Sequence, residues 1–373
     1  MSGALSTAAI VGLFAMVALW APMPRRSSPF NLQFALGHLI NEQPFLGLWW
    51  LLAGTMAVLV APDPGNLPWS LVAGLCAVDA LALALIASRA RSAGPALSEA
   101  LTSVFGAAGD PHGTRPSWWR IVFVPFVSWR PDVRRIRNRR YGPARRANRL
   151  DVYVARRQRR ADAPVLFYLH GGAFRMGSKL LGARPLLYRL AASGWVCVSA
   201  DYGLFRASYS DQLADARAAL AWTRANAEAY GGNASKLFAA GGSAGAHLAA
   251  TAALTGADVS GVITFYGYYG DAGPAGTGPT SPEACVTAEA PPFLIVHGSR
   301  DSLVLASDAR RFADRLRRTS RQPVVYAELP GAQHNFDLFH SLRLHAITDA
   351  VARFVELTVR ADSVERSGTR PPT

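Results

Sequence analysis

The sequence predicts two unlike parts: an N-terminal bundle of about three transmembrane helices, then an α/β domain built on a mostly parallel sheet with helices on both faces. Three observations predict this. Half of the 373 residues are hydrophobic and only 17% are charged, below the roughly 25% of ordinary soluble domains, so the apolar excess points to membrane segments. The formal net charge of +14 is local, because residues 115–160 hold 15 Arg against only Asp132 and Asp151. From residue 150 onward, short β-rich runs alternate with helical stretches, the pattern of a parallel sheet covered by helices. The expected organisation is a membrane anchor over 1–91, a basic juxtamembrane linker over 92–149 and the α/β domain over 150–373.

The apolar runs 4–22, 44–62 and 68–88 each match the ~20 residues a helix needs to cross the hydrocarbon core. No Lys or Arg precedes the first run, and Pro22, Pro24, Arg25 and Arg26 follow it in place of a small-residue cleavage site. An uncleaved anchor is therefore expected. Trp20, Trp49, Trp50 and Trp69 sit near run ends, where amphipathic rings favour the membrane interface. Asp63, Pro64, Gly65 and Asn66 form a turn that makes a hairpin of the second and third runs. Arg25 and Arg26 lie between the first two runs, and Arg89, Arg91 and the strip follow the third. The positive-inside rule then places the α/β domain in the cytoplasm and the N-terminus outside. Asp79, mid-way along the third run, reads as an ion site or, preferably, as a carboxyl hydrogen-bonded to a neighbouring helix.

Residues 117–129, SWWRIVFVPFVSW, are too short to span but suit a membrane surface, and Arg130 to Arg149 follow at once. Such a basic cluster attracts anionic lipid headgroups. Membrane lipids are preferred over nucleic acid as its partner, because the strip abuts the spans and contains no nucleic-acid module. Cys76, Cys197 and Cys285 are far apart with no C-x-x-C or Cys/His cluster, so neither a disulfide scaffold nor a metal site is expected.

Within the α/β domain, strands are expected at 150–154, 164–169, 195–200, 237–241, 261–266, 293–297 and 323–328, and helices at 185–193, 212–229, 244–254, 306–318 and 342–357. Gly241-Gly242-Ser243-Ala244-Gly245 lies between a strand and a helix. A G-x-S-x-G turn is so tight that side chains at its glycines would strike backbone, and it lifts the serine above the sheet edge. Ser243 is the candidate nucleophile. His170-Gly171-Gly172-Ala173-Phe174 follows the strand VLFYLH. Backbone N–H groups of Gly171 and Gly172, with that of Ala244, are the candidate oxyanion donors; His170 reads as structural. A serine needs a base and the base an orienting group, in the chain order Ser, Asp, His. Asp301 follows FLIVHG and His334 follows VVYAELPGAQ, both in loops after strands. His297, His340, His345 and Asp337 are weaker candidates, and His247, one turn down the elbow helix, points toward packing.

These motifs resemble the α/β-hydrolase esterases of the hormone-sensitive-lipase and feruloyl/acetyl esterase type, and most of all the actinobacterial membrane-anchored Lip carboxylesterases. The resemblance covers residues 141–358 and rests on Tyr141-Gly142, LDVYVA, HGGAF, GWVCVSADY, Asp215 with Trp222, YGG, GGSAG-x-HLA, HG-x-x-D and ELPGAQHNF. It implies a bacterial plasma-membrane serine hydrolase that cleaves carboxylic esters through an acyl-enzyme, without metal or organic cofactor. The chain departs from the family in HGGAF, which lacks a third glycine, and in residues 201–206, DYGLFR, which replace DYRL-x-P. The Gly/Pro-rich segment 270–282 is expected to rim the pocket, and the sequence leaves open whether the strip with Trp118, Trp119 and Trp129 covers its entrance. An amidase or formamidase on the same triad, and a degenerate membrane-docked binding module, are the rival readings.

Overall fold

The seven strands expected from the sequence of the α/β domain are all present, joined by an eighth that its charge had hidden. The computed structural model describes residues 12–13, 38–60, 69–106, 113–144, 147–157, 162–272 and 280–367. In chain order the strands are β1 Val133–Arg140, β2 Arg149–Ala155, β3 Ala163–Leu169, β4 Val196–Ala200, β5 Gly232–Gly242, β6 Gly261–Phe265, β7 Phe293–Gly298 and β8 Val324–Leu329. They form one eight-stranded sheet in the order β1-β2-β4-β3-β5-β6-β7-β8. β1, β2 and β4 pair antiparallel and β4 through β8 pair parallel. The helices are α1 Pro44–Leu59, α2 Trp69–Arg91, α3 Ala93–Phe105, α4 Trp118–Val122, α5 Arg184–Ala192, α6 Tyr209–Asn226, α7 Ala244–Leu254, α8 Ala306–Thr319 and α9 Leu342–Ser367.

The central strands are buried on both faces: β3, β5, β6 and β7 carry Leu166, Phe167, Phe238, Ile263, Phe265 and Phe293, all essentially inaccessible. Such strands read as continuous apolar runs because helices cover both sides of a parallel sheet. The apolar sides of α3, α5 and α9 pack on one face around Leu97, Leu186, Phe238 and Phe354, and those of α6 and α7 meet the other around Phe167, Leu220 and Leu248.

The stretch 92–149, expected as a linker, instead contributes structure to the α/β domain. α3 buries Ala93, Leu97 and Leu101 in its core, and β1 is an edge strand whose sequence is VRRIRNRR. β1 is held through Asp151 on β2. Arg135 Nε donates to Asp151 Oδ2 at 2.7 Å, and the Asn138 N–H donates to its Oδ1 at 2.8 Å. Asn138 takes a φ of 57° at the register shift between Ile136 and Arg139. An edge strand studded with arginine resists pairing with a second molecule, which is why the strip looked like a linker.

The three expected spans fare differently. The run 4–22 lies outside the described residues except for Gly12 and Leu13, which are helical. α1, within 44–62, has 16 residues, about 24 Å of helix, shorter than the ~30 Å hydrocarbon core. It begins at Pro44, where the run begins, and ends at Leu59, short of residue 62; just before it, residues 38–43 enter the α/β domain, where His38, Asn41, Glu42 and Gln43 are buried. Among the described residues one helical stretch, Val72–Phe105, is long and apolar enough to cross a membrane. It joins α2 to α3. On it, Asp79 faces Gly12: a Cβ added to Gly12 would stand 2.7 Å from Asp79 Oδ1.

Candidate active site

β5 ends at Gly242 and α7 begins at Ala244, leaving Ser243 alone in the turn with φ 52° and ψ −119°. A residue with a side chain pays of order 1–3 kcal/mol for such a backbone, and the surroundings must enforce it. The flanking glycines show how. A Cβ on Gly241 would lie 2.4 Å from the Gly245 carbonyl carbon, and one on Gly245 would lie 2.1 Å from the Leu169 carbonyl oxygen. Strand β3, the turn and the first turn of α7 thus touch backbone to backbone. Ser243 is half-buried while its neighbours are buried, so its hydroxyl faces outward at the C-terminal edge of the sheet.

The turn after β3 abuts it. A Cβ on Gly171 would be 3.1 Å from both the Gly242 carbonyl oxygen and the Ser243 Cβ. Gly172, Ala173 and Phe174 all have positive φ, at 135°, 51° and 62°. The bend is fastened by Tyr202 Oη donating to the His170 carbonyl at 2.9 Å and Gln212 Nε2 donating to the Phe174 carbonyl at 2.7 Å. Ala244 is the first residue of α7, so its N–H has no intrahelical acceptor and lies at the positive end of the helix dipole. His170 is buried, stacks on Tyr202 at 4.5 Å and donates from Nδ1 to the Gly171 carbonyl at 2.7 Å.

Asp301 and His334 meet. His334 Nδ1 donates to Asp301 Oδ2 at 2.7 Å, and Asp301 Oδ1 accepts from the N–H groups of Leu303 at 2.9 Å and Val304 at 2.8 Å. Burial pushes the Asp301 carboxyl up, but the His334 and His297 imidazoles outweigh it and hold the group well below the usual carboxylate range. The two loops are sewn together. Gln333 Oε1 accepts from the Ser302 N–H at 3.0 Å, the Arg300 N–H donates to the Ala332 carbonyl at 3.0 Å, and a Cβ on Gly298 would sit 2.4 Å from the Ala332 oxygen.

Tyr266, which sequence reasoning missed, lies between this pair and the serine turn. Its ring lies 4.5 Å from the His334 ring, and a Cβ on Gly242 would be 2.5 Å from its hydroxyl. Tyr266 Oη donates to Asp337 Oδ1 at 2.6 Å, while Tyr168 Oη and the Ala183 N–H donate to Oδ2 at 3.0 and 2.9 Å. Asp337, weighed from sequence as an orienting group for histidine, instead fastens two tyrosines beneath the turn. Its signal was its place three residues after His334.

The other histidines are placed elsewhere. His297 Nε2 donates to the Val304 carbonyl at 3.0 Å and lies 3.3 Å from Asp301 Oδ2. His340 bonds the Val127 carbonyl, and His345 engages Arg189 and the Thr114 carbonyl. His247 is buried among Phe174, Tyr209 and Tyr268. Of the departures from the family pattern, Phe205 is 84% exposed with φ 58°, so it stands out from the surface rather than lining a buried wall. In the segment 270–282, residues 273–279 lie outside the described residues.

Residues 150–269 match the BD-FAE family. The chain is 32% identical to the probable carboxylic ester hydrolase LipM of Mycobacterium tuberculosis (strain ATCC 25618 / H37Rv), over 99% of this chain and 95% of that one. The chain belongs to this family of Lip-type carboxylic ester hydrolases. Esterase LipC of the same organism is 36% identical over 61% of this Lip-type chain and 68% of its own. Among solved structures, Thermogutta terrifontis esterase 2 phosphorylated by paraoxon superposes with a TM-score of 0.51 at 26% identity, covering 65% of this chain and 97% of that one. Esterase B from Lactobacillus rhamnosis shares the fold, with a TM-score of 0.54 at 19% identity over 63% of this chain and 89% of that one. The protein is thus a serine-esterase-like hydrolase with an α/β-hydrolase fold.

Proposed function

We propose that the protein is a membrane-anchored serine hydrolase in which Ser243 is the nucleophile, His334 the general base and acid, and Asp301 the group that orients His334. The hydrogen bond of 2.7 Å between His334 Nδ1 and Asp301 carries this reading, because it fixes the tautomer in which Nε2 is the proton acceptor. His334 Nε2 takes the Ser243 proton as Oγ attacks the ester carbonyl. The oxyanion that forms is stabilised by the N–H groups of Gly171, Gly172 and Ala244. Collapse breaks the C–O bond, the imidazolium returns the proton to the leaving alcohol, and water repeats the sequence to release the acid. Imidazolium formation is favoured because Asp301 stays ionised throughout.

Membrane attachment is supported by the helical stretch Val72–Phe105 and by exposed Trp49, Trp50, Met56, Val78 and Leu81 on α1 and α2. Exposed Trp118, Trp119, Phe123, Phe126 and Trp129 suit the headgroup region, beside the arginines of β1. By the positive-inside rule the catalytic domain lies in the cytoplasm.

Replacing Ser243 with Ala tests the mechanism. Hydrolysis of p-nitrophenyl butyrate should fall by about four to six orders of magnitude, and covalent labelling by a fluorophosphonate should vanish; full retention of turnover would overturn it. The phosphorylation of Thermogutta terrifontis esterase 2 by paraoxon makes an organophosphate a fitting probe. Matched ester and amide substrates separate an esterase from an amidase.

A further inference from the structure

The loop that carries His334 leaves β8 at Leu329 and enters α9 at Leu342. Arg343, fully buried, spans both of its ends. Nη2 donates to the Pro330 carbonyl at 3.4 Å, while Nη1 donates to the Asn41 carbonyl at 2.7 Å and to Glu42 Oε1 at 2.9 Å. Asn41 Nδ2 also donates to Glu42 Oε1, at 3.0 Å. Next door, Gln43 Nε2 donates to the His340 carbonyl at 2.6 Å, and the His38 ring packs 5.8 Å from that of Phe339. Through Arg343, Gln43 and His38, these contacts tie the histidine loop and the start of α9 to residues 38–43, which directly precede α1.

We infer that residues 38–43 are a built-in part of the active site, in which Glu42, acting through Arg343, is a positioning residue that clamps the His334 loop at both ends. The inference rests on His334 being the catalytic base. A buried ion pair is a poor device for stability, since well-packed apolar side chains in its place are often equally stable or more so. Its geometric specificity is another matter: the planar guanidinium holds Asn41 and Glu42 Oε1 from Nη1 and reaches Pro330 from Nη2, so it sets the direction between the two segments as well as their distance. The electrostatic neighbourhood agrees. Burial, helped by the charges of His334 and Arg343, pushes His38 down to about 4, so it stays neutral beside the acid–base pair at neutral pH. From the far side, the His340 N–H donates to the Pro125 carbonyl at 2.9 Å and Phe126 packs on Phe339 at 5.0 Å. The histidine loop is therefore gripped between two segments that flank the proposed membrane surface.

A loop displacement of about 1 Å at a general base can cost roughly 100-fold in rate, and it acts on the chemical step rather than on substrate capture. The test uses the full-length protein in lipid nanodiscs, with p-nitrophenyl butyrate as substrate. The paired variant Glu42→Met with Arg343→Met keeps the volume but removes the clamp. It should fold with a Tm close to that of the unmodified protein, keep KM within about twofold, and lose roughly 30- to 100-fold in kcat. Glu42→Asp should retain most of the turnover, and Gln43→Leu should lose about fivefold in kcat. A folded paired variant with kcat within twofold of the parent overturns the inference; should that variant not fold, an unchanged kcat in Gln43→Leu does so. Hydrogen exchange over residues 330–341 should speed up in the paired variant. Unchanged exchange also overturns the clamp. If Ser243→Ala turns over as fast as the parent, the catalytic assignment fails instead, and hydrogen exchange still decides whether the clamp exists.

Discussion

Ser243 owes its backbone to the five residues 241–245 and the strand beside them, whereas His334 owes its position to groups as distant as Glu42 and Asp301. In the serine turn the determinant is exclusion: backbone atoms occupy the space where side chains at Gly241 and Gly245 would go. At the histidine the determinant is attraction, through the Asp301 carboxylate, the sewn loops and the Arg343 fork. Steric exclusion tolerates no gradual loosening, while a set of hydrogen bonds can be weakened one at a time. The two halves of the proposed active site should therefore fail in different ways when altered.

Asp301→Asn should give the largest catalytic effect with the fold kept, lowering kcat by about 10⁴-fold because His334 would take the wrong tautomer; steady-state kinetics with an unchanged circular dichroism spectrum checks it. Gly245→Val should instead fail as a fold. Its branched side chain would enter the space beside the Leu169 and His170 carbonyls, and a loss of about 3 kcal/mol or more in stability is expected, measured by thermal unfolding. Should Gly245→Val fold normally and lose only activity, the contrast between the two halves would not hold. Tyr266→Phe probes the bridge between them. It removes one donor to the buried Asp337, with an expected cost of about 1–3 kcal/mol, and a fall in kcat larger than the stability loss explains would show that Tyr266 also steadies the His334 ring.

The smallest effect is in pH dependence. Burial pushes His247 down to about 4 against the pull of two backbone carbonyls, and also pushes His340 down to about 4. Their unfolded values are near 6.5. Between those limits the unfolded chain binds protons that the folded chain does not, so stability is complete above about pH 6.5 and falls as pH drops toward 4. The slope is about 1.4 kcal/mol per pH unit for each group. His247→Asn should flatten the slope by one proton, as followed by Tm between pH 7 and 5.

The same contrast explains what could be read from sequence. The serine turn was legible because its constraint is local and glycine spacing records it. Asp301 and His334 were legible as a pair from their loops after strands and the chain order Ser, Asp, His, but not what holds their loops together, such as Gly298 meeting Ala332. β1 was not legible, since eight residues with five arginines look solvated until Asp151 is seen to hold them. Glu42 was hidden for the simplest reason, because its partner lies 301 positions further along the chain. Among the expected spans, 68–88 corresponds closely to α2, Trp69–Arg91, while α1 starts with the run 44–62 at Pro44 but ends at Leu59.

The helical stretch Val72–Phe105 has a mechanical consequence. Its 34 residues make a rod of about 51 Å, more than the ~30 Å hydrocarbon core needs, and the surplus, from Ala93 on, is sunk into the catalytic core beside Phe354. Such a rod works as a stilt rather than a leash. In the proposed membrane-anchored arrangement it would fix the height and tilt of the hydrolase relative to the bilayer, so lengthening it by a few residues would both raise and rotate the catalytic mouth, by about 1.5 Å and 100° per residue.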